Sequence, residues 1–328
     1  RVVFDLKKQS QYSISEQSGK LLVKVAQPTY KNIEYINNGD RVYVNLKKAV
    51  LTKGGANLEN LFTEKYSSTG KQYTITFPSE QADLGYGTIE INDGFLKNIT
   101  IKNNDDNTSS IIFNAAKKYS YVTFTRNDSN DTNITILEPA KDGEKLVVID
   151  PGHGGIMPGA VYGNIKEKDL NLDISKRLNE LLLNNNVNTY MLRNDDSHID
   201  NYERAYIANA LNASLYLSVH NNAMSSSSYN GTMTLHYPQK NNDSFNGKVF
   251  AEIVQKHLIR NLGTADKKVI ERPNLVVLKA TKMPAVIAEI AFITNETDRD
   301  NLSRGAFRAD AAKALRNAVL ESLEVMSE

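Results

Sequence analysis

The feature that most constrains this 328-residue chain is a change of hydrophobic period near residue 140. Before it, apolar residues alternate with polar ones, as in Leu21/Val23/Val25, Val42/Val44/Leu46, Tyr73/Ile75/Phe77 and Ile99/Ile101. Residues two apart share one face of a strand. Short alternating runs between Asn, Gly, Asp and Ser clusters therefore predict antiparallel strands with one wet face. After residue 144, continuous apolar runs such as Leu146-Val-Val-Ile149 alternate with segments whose apolar residues recur every four, as in Leu170, Ile174, Leu178 and Leu182. The former suit strands covered on both faces, the latter amphipathic helices. Further strands are expected at Thr189–Leu192, Leu215–Val219, Leu275–Leu278 and Ala285–Ile290, and helices at Tyr202–Leu211, Phe245–Leu262 and Ala306–Met326. Two domains follow: an all-β sandwich over residues 1–142, and over 143–328 an α/β domain with a mostly parallel twisted sheet and helices on both faces. The Pro and Gly of Glu138-Pro-Ala-Lys-Asp-Gly143 mark the boundary.

Within the first half, Arg1-Val-Val-Phe-Asp-Leu-Lys-Lys8 recurs as Arg41-Val-Tyr-Val-Asn-Leu-Lys-Lys48, with a looser echo at Ile111–Lys118. The chain opens abruptly inside the strand expected at Arg1–Leu6, which predicts that a preceding segment has been removed. Asn103–Asn107 and Asn127–Asp131 have the oxygen ligands of calcium loops but read as hairpin turns. None of the five His lies in this half.

Charge and composition exclude whole classes of function. Lys+Arg of 39 against Asp+Glu of 38 leaves no electrostatic footprint for nucleic acid or an anionic membrane surface. No run approaches the ~18 apolar residues of a spanning helix, so stable membrane insertion is not expected. The absence of Cys removes disulfides, thiolate catalysis and Cys-type metal sites, and any metal must be held by His, Asp or Glu. No pattern specifies an oligomeric state.

In open α/β sheets ligands sit outside the carboxyl ends of the strands. The first strand of the second half runs into Asp150-Pro-Gly-His153-Gly-Gly155, the third into His220-Asn-Asn-Ala223, and the last carries Glu289 near its end. Two His converging on one edge suggest zinc, and a hydrolytic zinc needs three protein ligands with one open position. The third ligand is Glu167, at the start of the first helix, or Glu289; spacing alone does not say which binds metal and which moves protons. The other three His, His198, His236 and His257, read as structural or exposed, with His236, in Leu235-His-Tyr237, the one expected to line the cleft.

Four blocks in order, Asp150-Pro-Gly-His-Gly-Gly155 with Pro158-Gly-Ala160, Glu167-Lys168, Ser218-Val-His-Asn-Asn-Ala223, and Pro284–Glu289 with Phe292-Ile-Thr-Asn295, resemble the zinc-dependent N-acetylmuramoyl-L-alanine amidases of type 3. The resemblance implies that His153, Glu167 and His220 are the Zn2+ ligands and that Glu289 is the catalytic carboxylate that activates water. It further implies substrate contacts at Asn222 and Arg193; Arg204 and Asn209 also match. Met157 and Asn221 depart from the pattern, where Asp and Ala are usual, which bears on substrate contacts more than on metal binding. The first half, with its strands and its neighbour, resembles the AMIN domains that precede cell-wall amidases. The expected protein is a secreted or wall-associated peptidoglycan hydrolase that cuts the amide between N-acetylmuramic acid and L-alanine. Two competing readings are a zinc peptidase acting on stem peptides and a non-catalytic wall-binding protein.

Overall fold

Alternating apolar residues bury one face of a strand, and a computed structural model, which describes residues 11–26, 29–39, 41–55, 58–238 and 244–327, places those faces. The chain separates into two units, Arg1–Glu138 and Pro139–Glu328. In the first, antiparallel strands including Gln72–Pro78, Leu96–Asn103 and Thr108–Ala115 form a six-stranded sheet, and Val42–Leu46, Ser120–Thr125 and Thr132–Leu137 belong to a four-stranded one. Val42, Val44, Leu46, Ile134 and Ile136 of the smaller sheet share one core with Tyr73, Ile75, Phe77, Ile111 and Phe113 of the larger. Each such side chain contributes roughly 1.5–3 kcal/mol on burial, so this shared core is what joins the two sheets.

The internal repeat does not produce equivalent copies. Arg41–Lys48 supplies Val42–Leu46 of the smaller sheet, whereas the echo at Ile111–Lys118 falls largely in Thr108–Ala115 of the larger. The first copy, and the strand expected at Arg1–Leu6, lie outside the described residues. Both Asn/Asp-rich segments form turns: Asp106 Oδ1 accepts from the Thr108 N–H at 3.1 Å, and the Arg126 N–H donates to Asp131 O at 2.8 Å.

The second unit holds strands β1 (Leu146–Pro151), β2 (Asn188–Met191), β3 (Leu215–Asn222), β4 (Thr232–His236), β5 (Asp266–Glu271) and β6 (Ala285–Phe292). Its helices are α1 (Glu167–Leu183), α2 (Asn201–Ala210), α3 (Gly247–Leu262), α4 (Val276–Ala280), α5 (Glu296–Ser303) and α6 (Gly305–Val325). The sheet order is β2-β1-β3-β6-β4-β5. The sheet is mixed: every neighbouring pair is parallel except β4 with β6, which is antiparallel. Val147 and Ile149 of β1, Leu215, Leu217 and Val219 of β3, and Val286, Ala288 and Ile290 of β6 pack with α1, α3 and α6 on one face. Residues one position out of step, Asp150, Ser218, His220 and Glu289, therefore face the other way, where Arg204 of α2 reaches Asp150.

Two expectations need correction. Leu275–Leu278, read as a strand, opens α4 instead; a short apolar run carries no period, and here only Val277 and Leu278 of the helix are buried. Periodicity also missed β5, whose Asp-Lys-Lys-Val-Ile-Glu sequence hid it because it is an edge strand with no buried residue. Among the described residues no helix is long and apolar enough to cross a membrane.

Candidate metal centre

The site grows from the carboxyl end of β1. Asp150 is the last inward-facing residue there, and its carboxylate is almost completely buried. Arg204 pairs with it, and the hydroxyls of Tyr216 and Ser218 donate to it at 2.5 and 2.8 Å. Burial alone would raise its pKa, but the Arg204 charge and these hydrogen bonds outweigh it and hold Asp150 below the usual carboxylate range. The Gly152 N–H still donates to Val219 O at 3.0 Å, and the chain turns at His153, which takes a left-handed φ of 61°. A non-glycine residue there is disfavoured, so its surroundings must hold it.

That turn aims His153 at Glu167, the first residue of α1. His153 Nε2 lies 3.1 Å from Glu167 Oε2, and His220 Nδ1, from the end of β3, lies 2.8 Å from Glu167 Oε1. One carboxylate thus sits between two imidazoles whose ring centroids are 4.9 Å apart. Three backbone and side-chain donors fix it: the Ala160 N–H at 2.8 Å, the Asn221 N–H at 3.3 Å and Asn171 Nδ2 at 3.3 Å. Burial pushes the Glu167 carboxyl upward, yet its bonds to His153 and His220 prevail and hold it well below the ordinary range. It is an anion at neutral pH.

Among the described residues, His153, Glu167 and His220 form a group whose ligand atoms all lie within 4.8 Å of one another. Two imidazoles and a carboxylate are the donor set of a hydrolytic zinc. The backbone around them is shaped to the side chains. A Cβ on Gly152 would fall 2.2 Å from Cε1 and Nε2 of His220, and one on Gly159 would fall 2.4 Å from Glu167 Oε2 and 2.6 Å from His153 Cδ2. The residues present fit such a metal.

Glu289 stands apart from this group. It is the register partner of His220 on the adjacent strand β6, and its Oε2 is buried without a hydrogen-bond partner. Burial pushes its carboxyl up to about 7, with the His220 charge opposing and the Glu167 charge reinforcing the shift. An orphaned carboxyl oxygen beside a donor cluster is poised to exchange a proton near neutrality.

The remaining expected site residues divide. Asn222 follows His220 on the same face of β3, with Nδ2 at 3.6 Å from the sulfur of Met233, itself the register partner of Glu289. Arg193, expected to touch substrate, is 1% exposed and donates instead to the carbonyls of Pro151, Gly152, Lys168 and Asp195, each at 2.9 Å. His236, expected in the cleft, is 4% exposed and sits elsewhere. It pairs in register with Val286, on the face opposite Glu289, because β4 runs antiparallel and its carboxyl end points away from the site. Asn221, a departure from the family pattern, is buried, and its side chain donates to Asn171 at 2.8 Å. Sequence reasoning missed Asn171, although its four-residue spacing from Glu167 places both on one side of α1.

Residues 147–321 match the family model described as N-acetylmuramoyl-L-alanine amidase. The chain is similar to the N-acetylmuramoyl-L-alanine amidase LytC of Bacillus subtilis, 38% identical over 176 residues, covering 54% of this chain and 35% of that protein. It is also similar to the uncharacterized protein YqiI of Bacillus subtilis, 36% identical and 83% covered, and to the amidase AmiA of Escherichia coli, 29% identical and 76% covered. The match thus spans about a third of LytC and most of the other two. Among solved structures, the catalytic domain of CwlV from Bacillus (Paenibacillus) polymyxa var. colistinus superposes with a TM-score of 0.52 at 29% identity, covering 55% of this chain and 99% of that one. An amidase from Clostridium difficile 630 gives 0.52 at 30% identity, covering 55% and 97%.

Proposed function

From the premise that the chain belongs to the N-acetylmuramoyl-L-alanine amidase family, we propose that its second unit hydrolyses the amide joining N-acetylmuramic acid to L-alanine in bacterial peptidoglycan, with a resident zinc ion. The observation that carries this reading is the pairing of a two-His, one-Glu donor group with a separate buried carboxyl, Glu289, on the neighbouring strand.

In this reading His153, Glu167 and His220 hold the zinc. Bound there, zinc would polarise the scissile carbonyl and ease the deprotonation of water. Glu289 accepts the proton of the attacking water at Oε2, and the water oxygen bonds to the carbonyl carbon. The same carboxyl returns the proton to the departing nitrogen as the C–N bond breaks, leaving a carboxylate on the lactyl group and a free amine on alanine. A carboxyl pushed up to about 7 by burial both takes and gives a proton near neutral pH, which suits this double task. Glu167, held anionic, suits the ligand task.

We read the first unit as a β-sandwich of AMIN type that brings the enzyme to the cell wall, and the protein as secreted or wall-associated. Its two antiparallel sheets around one core, ahead of an amidase unit, support that reading. The decisive experiment is digestion of purified peptidoglycan with and without a chelator, followed by mass analysis. Release of stem peptides with a free L-alanine amine, abolished by chelation and restored by zinc, is expected. New amines within the stem would instead identify a peptidase, and no release a wall-binding protein.

A further inference from the structure

We infer that Arg193 and Arg204 are positioning residues for the metal centre, two buried guanidinium groups that hold the His153 loop by its backbone carbonyls in the shape that gathers the three ligands. The inference rests on the reading of His153, Glu167 and His220 as metal ligands. Neither arginine is needed to touch metal or substrate for this role.

The carbonyls of three consecutive residues, Pro151, Gly152 and His153, all accept from these two side chains. Arg204 donates to Pro151 O at 3.0 Å and to His153 O at 2.7 Å, while its Nε holds Ile199 O at 3.0 Å. Arg193 takes Pro151 O, Gly152 O and Lys168 O, each at 2.9 Å. Every ligand is reached through these bonds. Arg204 holds the carbonyl of His153 itself, Arg193 holds the carbonyl of Gly152, which lies under the His220 ring, and Arg193 also holds the residue next to Glu167.

The loop needs such donors for two reasons. His153 sits at φ 61°, where a side chain is disfavoured and relaxes unless held. Carbonyls turned toward buried space without a donor are costly, because they lose their hydrogen bonds to water and gain none in return. Arginine meets both needs because its planar fork carries five donors that span several carbonyls at once, whereas lysine offers the same charge from a single point. Asp150 balances Arg204 within the same buried layer.

Arg193→Lys and Arg204→Lys in the full chain separate this geometry from charge. Each protein is stripped with chelator, titrated with Zn2+ against a chromophoric competitor, and followed in its metal-free form by hydrogen exchange. Gly152, Gly154 and Gly155 report on the loop, since their N–H groups donate to Val219 O, Met157 O and Asp196 Oδ1. The expected result is Zn2+ affinity weaker by about 10–100-fold and faster exchange at these three amides, with α1 amides such as Leu178 exchanging as before. Folded variants that bind Zn2+ as tightly as the parent and keep the loop amides protected overturn the inference. Should Arg204→Lys unfold through loss of its pairing with Asp150, Arg193→Lys decides the matter. If the parent chain itself takes up no Zn2+, the ligand reading fails, and the metal-free exchange data alone judge whether the arginines hold the loop.

Discussion

His220 and Glu289 are register partners on the adjacent parallel strands β3 and β6, and while the His220 ring bonds Glu167 at 2.8 Å, Glu289 Oε2 is buried and unbonded. The sheet thereby places two carboxyls around one imidazole in opposite electrostatic situations. Glu167, bonded to both His, is held anionic; Glu289, desolvated and with Oε2 unbonded, is pushed toward neutrality. That contrast supports the proposed division between metal ligand and proton carrier.

Glu289→Gln should lower peptidoglycan turnover by about 10²–10⁴-fold, the usual contribution of a positioned acid–base group, while leaving bound zinc at wild-type stoichiometry. Product release by mass analysis and metal content by atomic emission check the two halves independently. Loss of zinc in this variant would move Glu289 into the ligand set.

His153→Ala should lose zinc and turnover together, because a third of the donor group disappears. Zinc content near wild type in a folded His153→Ala protein would sink its assignment as a ligand.

The pKa of Glu289 makes a signed prediction for metal-free protein. Its carboxyl rises from an ordinary value of 4.5 to about 7 on folding, so its contribution to stability is fully present below about 4.5 and is lost as pH rises through about 7. A neutral Gln at 289 does not suffer that loss. Glu289→Gln should therefore be more stable than the parent at pH 8, by about 3 kcal/mol at most, with the advantage gone at pH 4. Denaturant midpoints at the two pH values test this; equal midpoints at pH 8 would contradict it.

Gly152→Ala should damage the metal centre without replacing a ligand. The added methyl would meet the His220 ring at 2.2 Å, so the ring or the loop must move. A loss in Zn2+ affinity of at least about 10-fold is expected, as for other supporting groups around a metal. Unchanged affinity by competition titration would show that the ring has room to shift.

Removal of Arg1–Glu138 should separate the two proposed tasks, since this unit has its own core. The shortened chain is expected to cleave soluble muropeptides at a rate near that of the full chain but to sediment less with intact sacculi. Equal sedimentation would remove the targeting role from the first unit.

The sequence alone determined the division into a β-rich and an α/β half, most strand and helix positions, and the residues His153, Glu167, His220 and Glu289 as the set worth attention. These were legible because periodicity reports which face of an element is buried, and because a parallel strand delivers its carboxyl-end residues to one edge. His236, expected to line the cleft, was not placed by periodicity: β4 is antiparallel, and strand direction depends on a connection that periodicity does not record. Arg193 was misread for a related reason. An arginine in a motif looks like a substrate contact until the packing shows it buried beneath the loop, bonded to four carbonyls contributed by separate stretches of chain. Backbone carbonyls are the same at every position, so no side-chain pattern announces which of them an arginine will find. Spacing left the split between Glu167 and Glu289 open and only the resemblance implied it; what the tertiary structure decided is their contrasting ionisation, because that depends on burial and on partners brought together from distant parts of the chain.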